Sequence, residues 1–561
     1  MKIRDIQDHM DCDALIVFRN NQFLGQDILD EENRIWELTN FSGSAGTLVI
    51  MRKKAFLFVD GRYEIQAQKQ TDAKTVSVIV ESAEQNFNTW LKDNLSSATI
   101  TYNPWQISES RIQKLKRMLP DAKWISQPQI LATPRATAFE QPLKYAGQKT
   151  ADKIKELKNQ MSENNCGAVL VCAADSVSWL LNLRSNALPE TPIVRAMAMV
   201  TKSGKVIIFA DNLVLPKDCK FEKRPLSKIN SALKETGAEK IILDFATSPA
   251  IIAEMCREAK IKTVNKPDLC AILKAEKNKN ELQGMINAHI KDGVAMCKFL
   301  AWFENNYQKK SEIDIVKKVL SFRKQQELFH SVSFGTIAGS GANAAIIHYQ
   351  PTEKQFGKIK NNSVLLLDSG AQYQDGTTDI TRTIAVGKPT KDMIEKFTIV
   401  LKAHIALSSQ KFPEHTSGNR LDAICRSMMW RYGLDYKHGT GHGVGSFLNV
   451  HEGPQSMGAT GNSYPLKPNM VLSIEPGYYK ENNFGIRIEN LVYIAKSSVS
   501  GFLNFVPLTL VPIDFKLIDK YLLNEREINW LNEYHHTTYK LIAPHLDKSE
   551  REWLQKACAP L

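Results

Sequence analysis

The stretch VLLLDSGAQYQDGTTDITRT, residues 364–383, decides the fold predicted for the second half of the chain. The apolar run at residues 364–367 ends at Asp368, and β-branched residues are frequent from residue 377 to residue 384. Because turn-forming residues separate the two runs, the stretch predicts two strands joined by a turn, with Asp368 on one strand and Asp379 on the other. Two carboxylates on paired strands are the first indication of a functional site.

The sequence does not fix the register of this hairpin. A turn centred on residues 373–374 would place Asp368 and Asp379 opposite each other, whereas a two-residue turn at 375–376 would offset them by four positions. Since an isolated aspartate in an apolar strand is usually a strand end or a turn cap, the pair gains significance only if more ligands follow.

More candidate ligands follow in a glycine-rich stretch, YKHGTGHGVGSFLNVHEGP, at residues 436–454. His438 and His442 are four residues apart among glycines, which allow the backbone to approach a ligand closely. His451 follows nine residues after His442. The stretch therefore offers several imidazoles to one site.

Two glutamates extend the set. In VLSIEPGYY, residues 471–479, Glu475 ends an apolar strand before a Pro-Gly turn, and in FGIRIENLV, residues 484–492, Glu489 lies in another strand beside Arg487. Two aspartates, one histidine and two glutamates at strand ends would form a dinuclear site for divalent metals that favour oxygen ligands.

With these motifs the chain resembles the pita-bread metallopeptidases, the creatinase- and prolidase-like family, and within it the three-domain aminopeptidase P form. HGTGHGVGSFLNVHEGP and DSGAQYQDGTTDITRT match that family's signatures almost letter for letter, and a weaker similarity extends over the whole chain. The metal ligands that the resemblance implies are Asp368, Asp379, His442, Glu475 and Glu489.

The resemblance also implies how the remaining residues of the site divide their roles. The implied catalytic residues are Glu475, His348 and His451, with Glu475 as the proton shuttle. The implied substrate-binding residues are His348, His438, His451 and Arg487. A loop rich in glycine, alanine and serine at residues 333–347 leads to His348, so this histidine emerges where a strand should reach the aspartate hairpin.

Two Mn²⁺ ions per chain are the expected cofactors, because four carboxylates and one histidine form an oxygen-rich set that disfavours tetrahedral zinc. Co²⁺ or Zn²⁺ could still load in vitro. The resemblance places Asp368 and Asp379 on one ion and His442 and Glu475 on the other, with Asp379 and Glu489 bridging. It implies that a metal-bridging hydroxide cleaves peptides with proline at the second position and releases their N-terminal residue.

Two other functions are alternatives. A prolidase, which takes only Xaa-Pro dipeptides, would use the same metal set, although the duplicated first half and the C-terminal extension favour the longer aminopeptidase form. A metal-free pita-bread module that binds histones or RNA would be marked by loss of ligands, and all five candidates are present.

The fold predicted for the whole chain combines α/β and α+β parts: two weakly duplicated α/β domains, a pita-bread catalytic domain and a helical C-terminal extension. CDALIV at residues 12–17 is answered by CGAVLV at 166–171, and a hairpin predicted at 47–59 by another at 197–209. The predicted domain boundaries are 1–143, 144–276, 277–500 and 501–561. We expect the extension to support the fold and to carry no catalytic group.

Composition limits the other function classes. The 561 residues are 43% hydrophobic and 24% charged, as in ordinary globular proteins, and the net charge of +12 comes from dispersed lysines. Without an arginine-rich tract we expect no nucleic-acid partner. A charged N-terminus predicts no secretory signal or membrane span, and nine separated cysteines predict reduced thiols, so we expect a cytoplasmic protein. The resemblance implies a homodimer.

Overall fold

The structure is a computed structural model that describes residues 2–459 and 463–561. The chain divides into two compact units. The amino-terminal unit comprises Met1–Leu143, Gln148–Leu188 and Pro192–Ile272, and the carboxyl-terminal unit comprises Lys144–Gly147, Pro189–Thr191 and Leu273–Leu561. Within the two described ranges, no helix combines the length and the apolar character that a membrane crossing requires.

The described part of the amino-terminal unit holds two six-stranded sheets and one three-stranded sheet. Its strands are β1 (Ala14–Phe18), β2 (Thr47–Met51), β3 (Ala55–Val59), β4 (Ser77–Val80), β5 (Thr99–Tyr102), β6 (Lys123–Ser126), β7 (Ala136–Glu140), β8 (Ala168–Val171), β9 (Leu183–Ser185), β10 (Met197–Thr201), β11 (Val206–Phe209), β12 (Leu213–Val214), β13 (Glu222–Arg224), β14 (Lys240–Leu243) and β15 (Lys262–Asn265).

The helices that precede residue 279 are short. They are α1 (Ile3–Asp8), α2 (Arg34–Thr39), α3 (Glu64–Gln70), α4 (Phe87–Leu95), α5 (Glu109–Met118), α6 (Leu143–Ala146), α7 (Thr150–Glu163), α8 (Ala174–Leu180), α9 (Ile229–Glu235), α10 (Ala250–Glu258) and α11 (Leu269–Ala275). Along β1, Ala14, Ile16 and Phe18 pack into one cluster and Val17 into another, because alternate side chains of a strand point to opposite faces. The first sheet is therefore apolar on both faces.

The two six-stranded sheets have the same topology, which confirms the predicted duplication. Their strand orders are β4-β3-β2-β1-β5-β6 and β13-β11-β10-β8-β14-β15. In the first sheet β1 pairs antiparallel with β2 and parallel with β5, and in the second β8 pairs antiparallel with β10 and parallel with β14. The edge pairs β3–β4 and β11–β13 are parallel in both.

The carboxyl-terminal unit contains longer helices and antiparallel strands. Its strands are β16 (Phe329–Val332), β17 (Ile337–Ser340), β18 (Ser363–Ser369), β19 (Ala371–Tyr373), β20 (Gly376–Thr377), β21 (Ile380–Val386), β22 (Lys411–Pro413), β23 (Gly441–Gly443), β24 (Glu452–Met457), β25 (Val471–Ile474), β26 (Gly477–Lys480), β27 (Phe484–Arg487), β28 (Asn490–Lys496) and β29 (Phe502–Pro507). Its helices are α12 (Lys279–Asn306), α13 (Glu312–Arg323), α14 (Lys391–Ser408), α15 (Gly418–Trp430), α16 (Glu525–Ile542) and α17 (Lys548–Ala557).

Three of these sheets position the candidate site. Strands β17, β18 and β21 form one sheet, β26 and β27 form a hairpin, and a six-stranded sheet has the order β22-β29-β28-β25-β23-β24. Helices α14 and α15 contribute their apolar faces to a large core with residues of β25, β27, β28 and β29. The ends of ligand-bearing strands are thus held by a packed layer of helices.

The aspartate hairpin has a register that lies between the two considered from the sequence. Asp368 pairs with Thr381, two residues beyond Asp379, and Tyr373 pairs with Gly376, so residues 374–375 form the turn. The two aspartates are therefore offset by two positions, as diagonal neighbours on one face of the hairpin.

Neither register considered from the sequence is the observed one, because a contact with α12 anchors the turn. Asp375 is buried, and its two carboxylate oxygens accept hydrogen bonds from Lys291 Nζ at 2.7 and 2.6 Å. The Asp375 carbonyl lies so close to Gly284 that a Cβ there would be 2.1 Å from it. A local turn rule does not include a contact across more than eighty residues.

The sequence predicts helix caps at Ser311 with Asp314, Asn524 with Glu527 and Ser549 with Glu552, and the structure confirms the first two. Ser311 and Asn524 cap α13 and α16 with the expected capping boxes, and Asn278 caps α12. The box predicted for Ser549 with Glu552 is wrong, because α17 begins two residues earlier, with Asp547 accepting from the backbone N–H of Glu550.

Candidate metal centre

Four carboxylates lie at strand ends of the carboxyl-terminal unit. Asp368 is on β18, Asp379 directly precedes β21, Glu475 directly follows β25, and Glu489 lies between β27 and β28. One ligand atom from each of Asp379, His442 and Glu489 lies within 4.8 Å of the other two. The structure therefore brings together residues that are more than one hundred positions apart in the sequence.

His442 faces two of the carboxylates through one ring nitrogen. Its Nε2 lies 3.5 Å from Asp379 Oδ2 and 3.6 Å from Glu475 Oε1. Its Nδ1 donates to the Gly443 carbonyl at 2.9 Å, which fixes the orientation of the ring. A histidine held through one nitrogen while the other faces carboxylates is the usual arrangement of a metal ligand.

Within this cluster, two buried carboxylate oxygens lack a hydrogen-bond donor among the described residues. They are Asp368 Oδ1 and Asp379 Oδ1. A buried charged oxygen without a donor is costly, so such atoms usually face a cation. These two atoms are where the amino-acid residues alone leave negative charge uncompensated.

The pKa values of this cluster reflect burial and mutual repulsion. Burial raises the pKa of Asp368 to about 7, against the lowering effect of Arg487. The pKa values of Glu475 and Glu489 are also raised, mainly by burial and further by Asp379. Burial lowers the pKa of His442, but the neighbouring carboxylates outweigh it and raise that pKa to about 9. Like charges held this close to one another favour protonation unless a cation is present.

Thr381 fixes Glu489 and was not identified from the sequence. Its Oγ1 donates to Glu489 Oε2 at 2.8 Å, and its carbonyl accepts from the backbone N–H of Glu489 at 3.1 Å. The same Oγ1 accepts from Arg487 Nε at 3.1 Å. Thr381 lies two residues after Asp379 in DITRT, so its side chain shares that ligand's face, and this spacing is the signal that could have identified it.

Tyr479 links Arg487 to His438 and was also not identified from the sequence. Its hydroxyl accepts from Arg487 Nη1 at 2.7 Å and lies 2.8 Å from His438 Nε2, to which it donates. Its ring lies over Gly477, where a Cβ would be 2.5 Å from the hydroxyl oxygen. The stretch EPGYY contains the signal, a glycine that admits an aromatic side chain two residues later.

Arg487 is buried and contacts the aspartate hairpin directly. Its Nη2 donates to Asp368 Oδ2 at 2.5 Å and to the Ile347 carbonyl at 3.4 Å. The latter contact places the residue before His348 beside the cluster, and His348 itself is half-buried. The arginine thus joins the hairpin, the His348 segment and Tyr479.

The other two predicted histidines lie on either side of His442. His438 Nδ1 donates to the Gly439 carbonyl at 2.7 Å and lies 3.9 Å from Glu475 Oε2. His451 is exposed, and its ring packs edge-on against His442 with 4.2 Å between the ring centroids. Each of the nine predicted site residues is therefore placed in or beside one cluster by the contacts above.

Family models match almost the whole chain. A model described as the Creatinase/Prolidase N-terminal domain matches residues 1–137, and a second model of that description matches residues 126–281. Metallopeptidase family M24 matches residues 283–496, and the C-terminal region of that peptidase matches residues 501–561. The cluster described above lies entirely inside the M24 match.

Curated relatives are similar over most of their length. Probable Xaa-Pro aminopeptidase P from Laccaria bicolor is 36% identical, with coverage of 100% of this chain and 93% of the relative. Xaa-Pro aminopeptidase 1 from Dictyostelium discoideum is 34% identical, with coverage of 100% and 96%. Aminopeptidase P2 from Arabidopsis thaliana is 36% identical, with coverage of 93% and 82%.

Solved structures share the fold. X-prolyl aminopeptidase from Caenorhabditis elegans, described as a cytosolic enzyme with a di-nuclear active site, matches with a TM-score of 0.94 and 32% identity over 100% of this chain and 98% of that one. Prolidase from Pyrococcus horikoshii matches with a TM-score of 0.52 and 26% identity, over 64% of this chain and 99% of that one. The predicted fold class is confirmed, and the chain belongs to metallopeptidase family M24.

Proposed function

We propose that this protein is a metal-dependent aminopeptidase that releases the N-terminal residue from peptides with proline at the second position. The observation that carries the proposal is the convergence of Asp379, His442 and Glu489 beside two further carboxylates, in a chain whose full-length relatives are named Xaa-Pro aminopeptidases. The Caenorhabditis elegans relative, with its di-nuclear active site, supports two cations per chain.

The residues present fit divalent cations. Asp368 Oδ1 and Asp379 Oδ1 are buried oxygens without a donor among the described residues, and four carboxylates with one imidazole form an oxygen-rich set. We infer Mn²⁺ as the native ion, with Co²⁺ or Zn²⁺ able to load in vitro. When bound, two such ions would supply Lewis acidity at the scissile carbonyl and a water-derived nucleophile near neutral pH.

The proposed assignment of residues to the two ions is the one that the family resemblance implies, and the positions of the ligand atoms support it. Asp368 and Asp379, diagonal neighbours on one hairpin, would hold one ion. His442 and Glu475, whose ligand atoms are 3.6 Å apart, would hold the other. Asp379 and Glu489 would be shared by both ions, as the family resemblance implies, and each contributes a ligand atom to the three-residue cluster.

Protons and substrate are handled by the residues around these ligands. Glu475 is the proposed proton shuttle, a role that the family resemblance implies, and its Oε2 lies 3.9 Å from His438 Nδ1. His348 and His451 are the proposed partners that stabilise the tetrahedral intermediate or protonate the leaving proline nitrogen. Neither histidine is a metal ligand in this assignment.

Recognition of proline requires a dedicated surface. An Xaa-Pro bond is a tertiary amide without an N–H, and its ring fixes φ near about −65°. His348, His438 and Arg487 would line the side of the cleft that receives the ring, because the Arg487–Tyr479–His438 chain of hydrogen bonds holds these groups together. The free α-amino group would lie towards the carboxylates.

The test compares substrates that differ by one feature. We expect Mn²⁺-dependent cleavage of Xaa-Pro-Yaa, little cleavage of Xaa-Ala-Yaa, and none of N-acetylated Xaa-Pro-Yaa. EDTA should abolish activity and Mn²⁺ should restore it. Equal cleavage of the alanine peptide would remove the proline requirement, and cleavage of the acetylated peptide would show that the free amine is not recognised.

The prolidase alternative is less well supported. The Pyrococcus horikoshii prolidase aligns with 64% of this chain, whereas the relatives named Xaa-Pro aminopeptidase align with all of it. Cleavage of Xaa-Pro dipeptides together with failure to cleave longer peptides would favour prolidase. A metal-free binding module is disfavoured because all five candidate ligands are retained.

Cellular context and assembly complete the proposal. A cytosolic relative supports a cytoplasmic location, and family resemblance supports a homodimer without nucleic-acid or membrane partners. We keep the domain boundaries 1–143, 144–276, 277–500 and 501–561. Size-exclusion chromatography with light scattering would test the dimer, since a monomer at micromolar concentration would contradict it.

A further inference from the structure

We propose that Arg382 and Tyr534 are positioning residues through which the C-terminal extension holds the metal ligand Glu489 in place. The inference rests on the proposed function, because it takes Glu489 as a ligand. It extends the prediction that residues 501–561 merely support the fold.

Arg382 lies behind the cluster, on the strand that Asp379 precedes, and it is buried. Its guanidinium reaches six acceptors from separate parts of the carboxyl-terminal unit. They are the carbonyls of Pro512 at 3.2 Å, Thr381 at 2.9 Å, Glu489 at 2.7 Å and Val511 at 2.8 Å, Asn490 Oδ1 at 2.8 Å and the Tyr534 hydroxyl at 2.8 Å. One side chain thus ties the ligand corner to the extension.

All six acceptors are neutral, which distinguishes Arg382 from an ordinary buried ion pair. A buried guanidinium destabilises a fold unless acceptors satisfy its N–H groups. Here the six acceptors satisfy the N–H groups of the Arg382 guanidinium. Because none of them is charged, the positive charge still attracts the carboxylates on the other side of Glu489. Burial lowers the pKa of Arg382, and Tyr534 and Glu489 oppose that shift.

Tyr534 sets the position of the fork from α16. Its hydroxyl accepts from Arg382 and lies 3.0 Å from the Thr509 carbonyl and 2.9 Å from the Val511 carbonyl. Its ring stacks on Trp530, with 5.4 Å between centroids and 3° between ring planes. A hydroxyl fixed by stacking and by two strand-end carbonyls is a rigid anchor for Arg382.

The connection ends at the side chain of Glu489. Its carbonyl accepts from Arg382, its N–H donates to the Thr381 carbonyl, and its Oε2 accepts from Thr381 Oγ1. Arg382 also holds that Thr381 carbonyl. Both ends of the Glu489 residue therefore depend on one guanidinium, and loosening it would let the carboxylate leave its metal-binding position.

The test uses Tyr534→Phe, which removes one oxygen and keeps the stacked ring. We expect the affinity for Mn²⁺, measured by chelator competition on the folded metal-free chain, to fall by about 10-fold, in line with other groups that orient metal ligands. The KM for Xaa-Pro-Yaa at saturating Mn²⁺ should stay within about 2-fold, because no substrate contact is lost.

Tyr539→Phe is the matched control, because it makes the same change on the same helix outside the Arg382 contacts. It should leave Mn²⁺ affinity unchanged. A purely structural role would lower the unfolding temperature of Tyr534→Phe and leave its Mn²⁺ affinity equal to that of the control, and this result would overturn the inference.

A second pair of variants separates this inference from the proposed function. Glu489→Gln should weaken Mn²⁺ binding more than Tyr534→Phe does. Failure of the wild-type chain to bind Mn²⁺ would defeat the proposed function, whereas normal binding by the wild type and by Tyr534→Phe would defeat the positioning role alone. Arg382→Lys, which keeps the charge and loses the fork, should resemble Tyr534→Phe.

Discussion

Glu32 of the amino-terminal unit and the carboxylate cluster of the carboxyl-terminal unit are both buried, but they differ in how far their charge is neutralised. In the amino-terminal unit, Glu32 is buried, pairs with Arg195, and accepts hydrogen bonds from Asn21 Nδ2 at 3.2 Å and from the Leu29 N–H at 3.0 Å. These residues neutralise the charge of the Glu32 carboxylate and satisfy its oxygens. Such a pair contributes to the fold and leaves no uncompensated charge for a ligand to bind.

In the carboxylate cluster of the carboxyl-terminal unit, the surrounding residues do not neutralise all of the buried negative charge. Four carboxylates share the cation Arg487 and the imidazole of His442, and two of their oxygens lack a donor in the described ranges. The comparison teaches that burial of acidic groups does not by itself mark a site. What marks it is negative charge that the chain concentrates and does not neutralise.

Asp379→Asn should have the largest effect. The change removes charge from a proposed bridging ligand at almost constant volume, so we expect turnover to fall by at least about 100-fold and bound metal to be lost, with the fold retained. Metal content by mass spectrometry, kcat, and circular dichroism would check this.

Asp375→Asn is the matched control in the same hairpin, since Asp375 is paired with Lys291. It should lower stability while the metal stays bound. Two metals per chain and normal turnover in Asp379→Asn would refute the ligand assignment.

His451→Ala should come next. His451 is exposed and packs against the proposed metal ligand His442. Because its proposed role is to act on substrate and not to hold the ions, we expect kcat to fall by roughly 10²-fold with metal content unchanged. Parallel measurement of kcat and metal content decides the point. Loss of metal would make His451 a ligand and would overturn the division of the histidines.

Glu32→Gln tests the other side of the comparison. Breaking a buried pair leaves Arg195 uncompensated, so the amino-terminal unit should lose about 3 kcal/mol of stability. Metal content should not change, because no ligand lies in that unit. Denaturant unfolding with metal analysis would measure both, and a loss of metal without a loss of stability would contradict the comparison.

The smallest effect concerns pH and the chain stripped of metal. The pKa of Asp368 is raised to about 7 and that of His442 to about 9, both above their ordinary values of about 3.9 and 6.5. A group whose pKa is raised by folding binds its proton more tightly in the folded chain than in the unfolded one. Its contribution to stability is complete below the ordinary pKa and is lost as the pH rises through the raised pKa.

The unfolding temperature of the metal-free chain should therefore fall by at least about 2 °C between pH 6 and pH 9. Asp368→Asn should show a smaller fall, and Mn²⁺ should remove most of it, since the cation takes the place of the protons. An unfolding temperature that rises over this interval would contradict the pKa directions.

The duplicated sheets were predictable because they depend on a repeated local pattern, whereas the candidate ligands came from the family resemblance that their motifs carry and stay a prediction. CDALIV and CGAVLV became β1 and β8 in sheets of the same order, and the motifs around Asp379 and His442 carried the chemistry. The hairpin register was not predictable, because Lys291, more than eighty residues away, holds the turn at Asp375.

The groups that orient the ligands were also not predictable. Thr381 and Tyr479 have ordinary strand character, and their roles depend on Glu489 and Arg487 being brought to them by other strands. Tyr534 lies in a helix whose amphipathic pattern indicated packing alone. The spacing of Thr381 from Asp379 and the glycine in EPGYY indicate where such residues could lie, but neither signal says which group the side chain contacts.

The reach of Arg382 has a consequence for biosynthesis. Five of its six acceptors lie 107 to 152 residues further along the chain, up to Tyr534. During translation the aspartate hairpin leaves the ribosome long before the segment that completes its support, whereas the duplicated sheets of the first half can fold at once. We therefore expect a chain that ends before α16 to lack this support of Glu489, and a nascent chain to reach full activity only after that helix has been made.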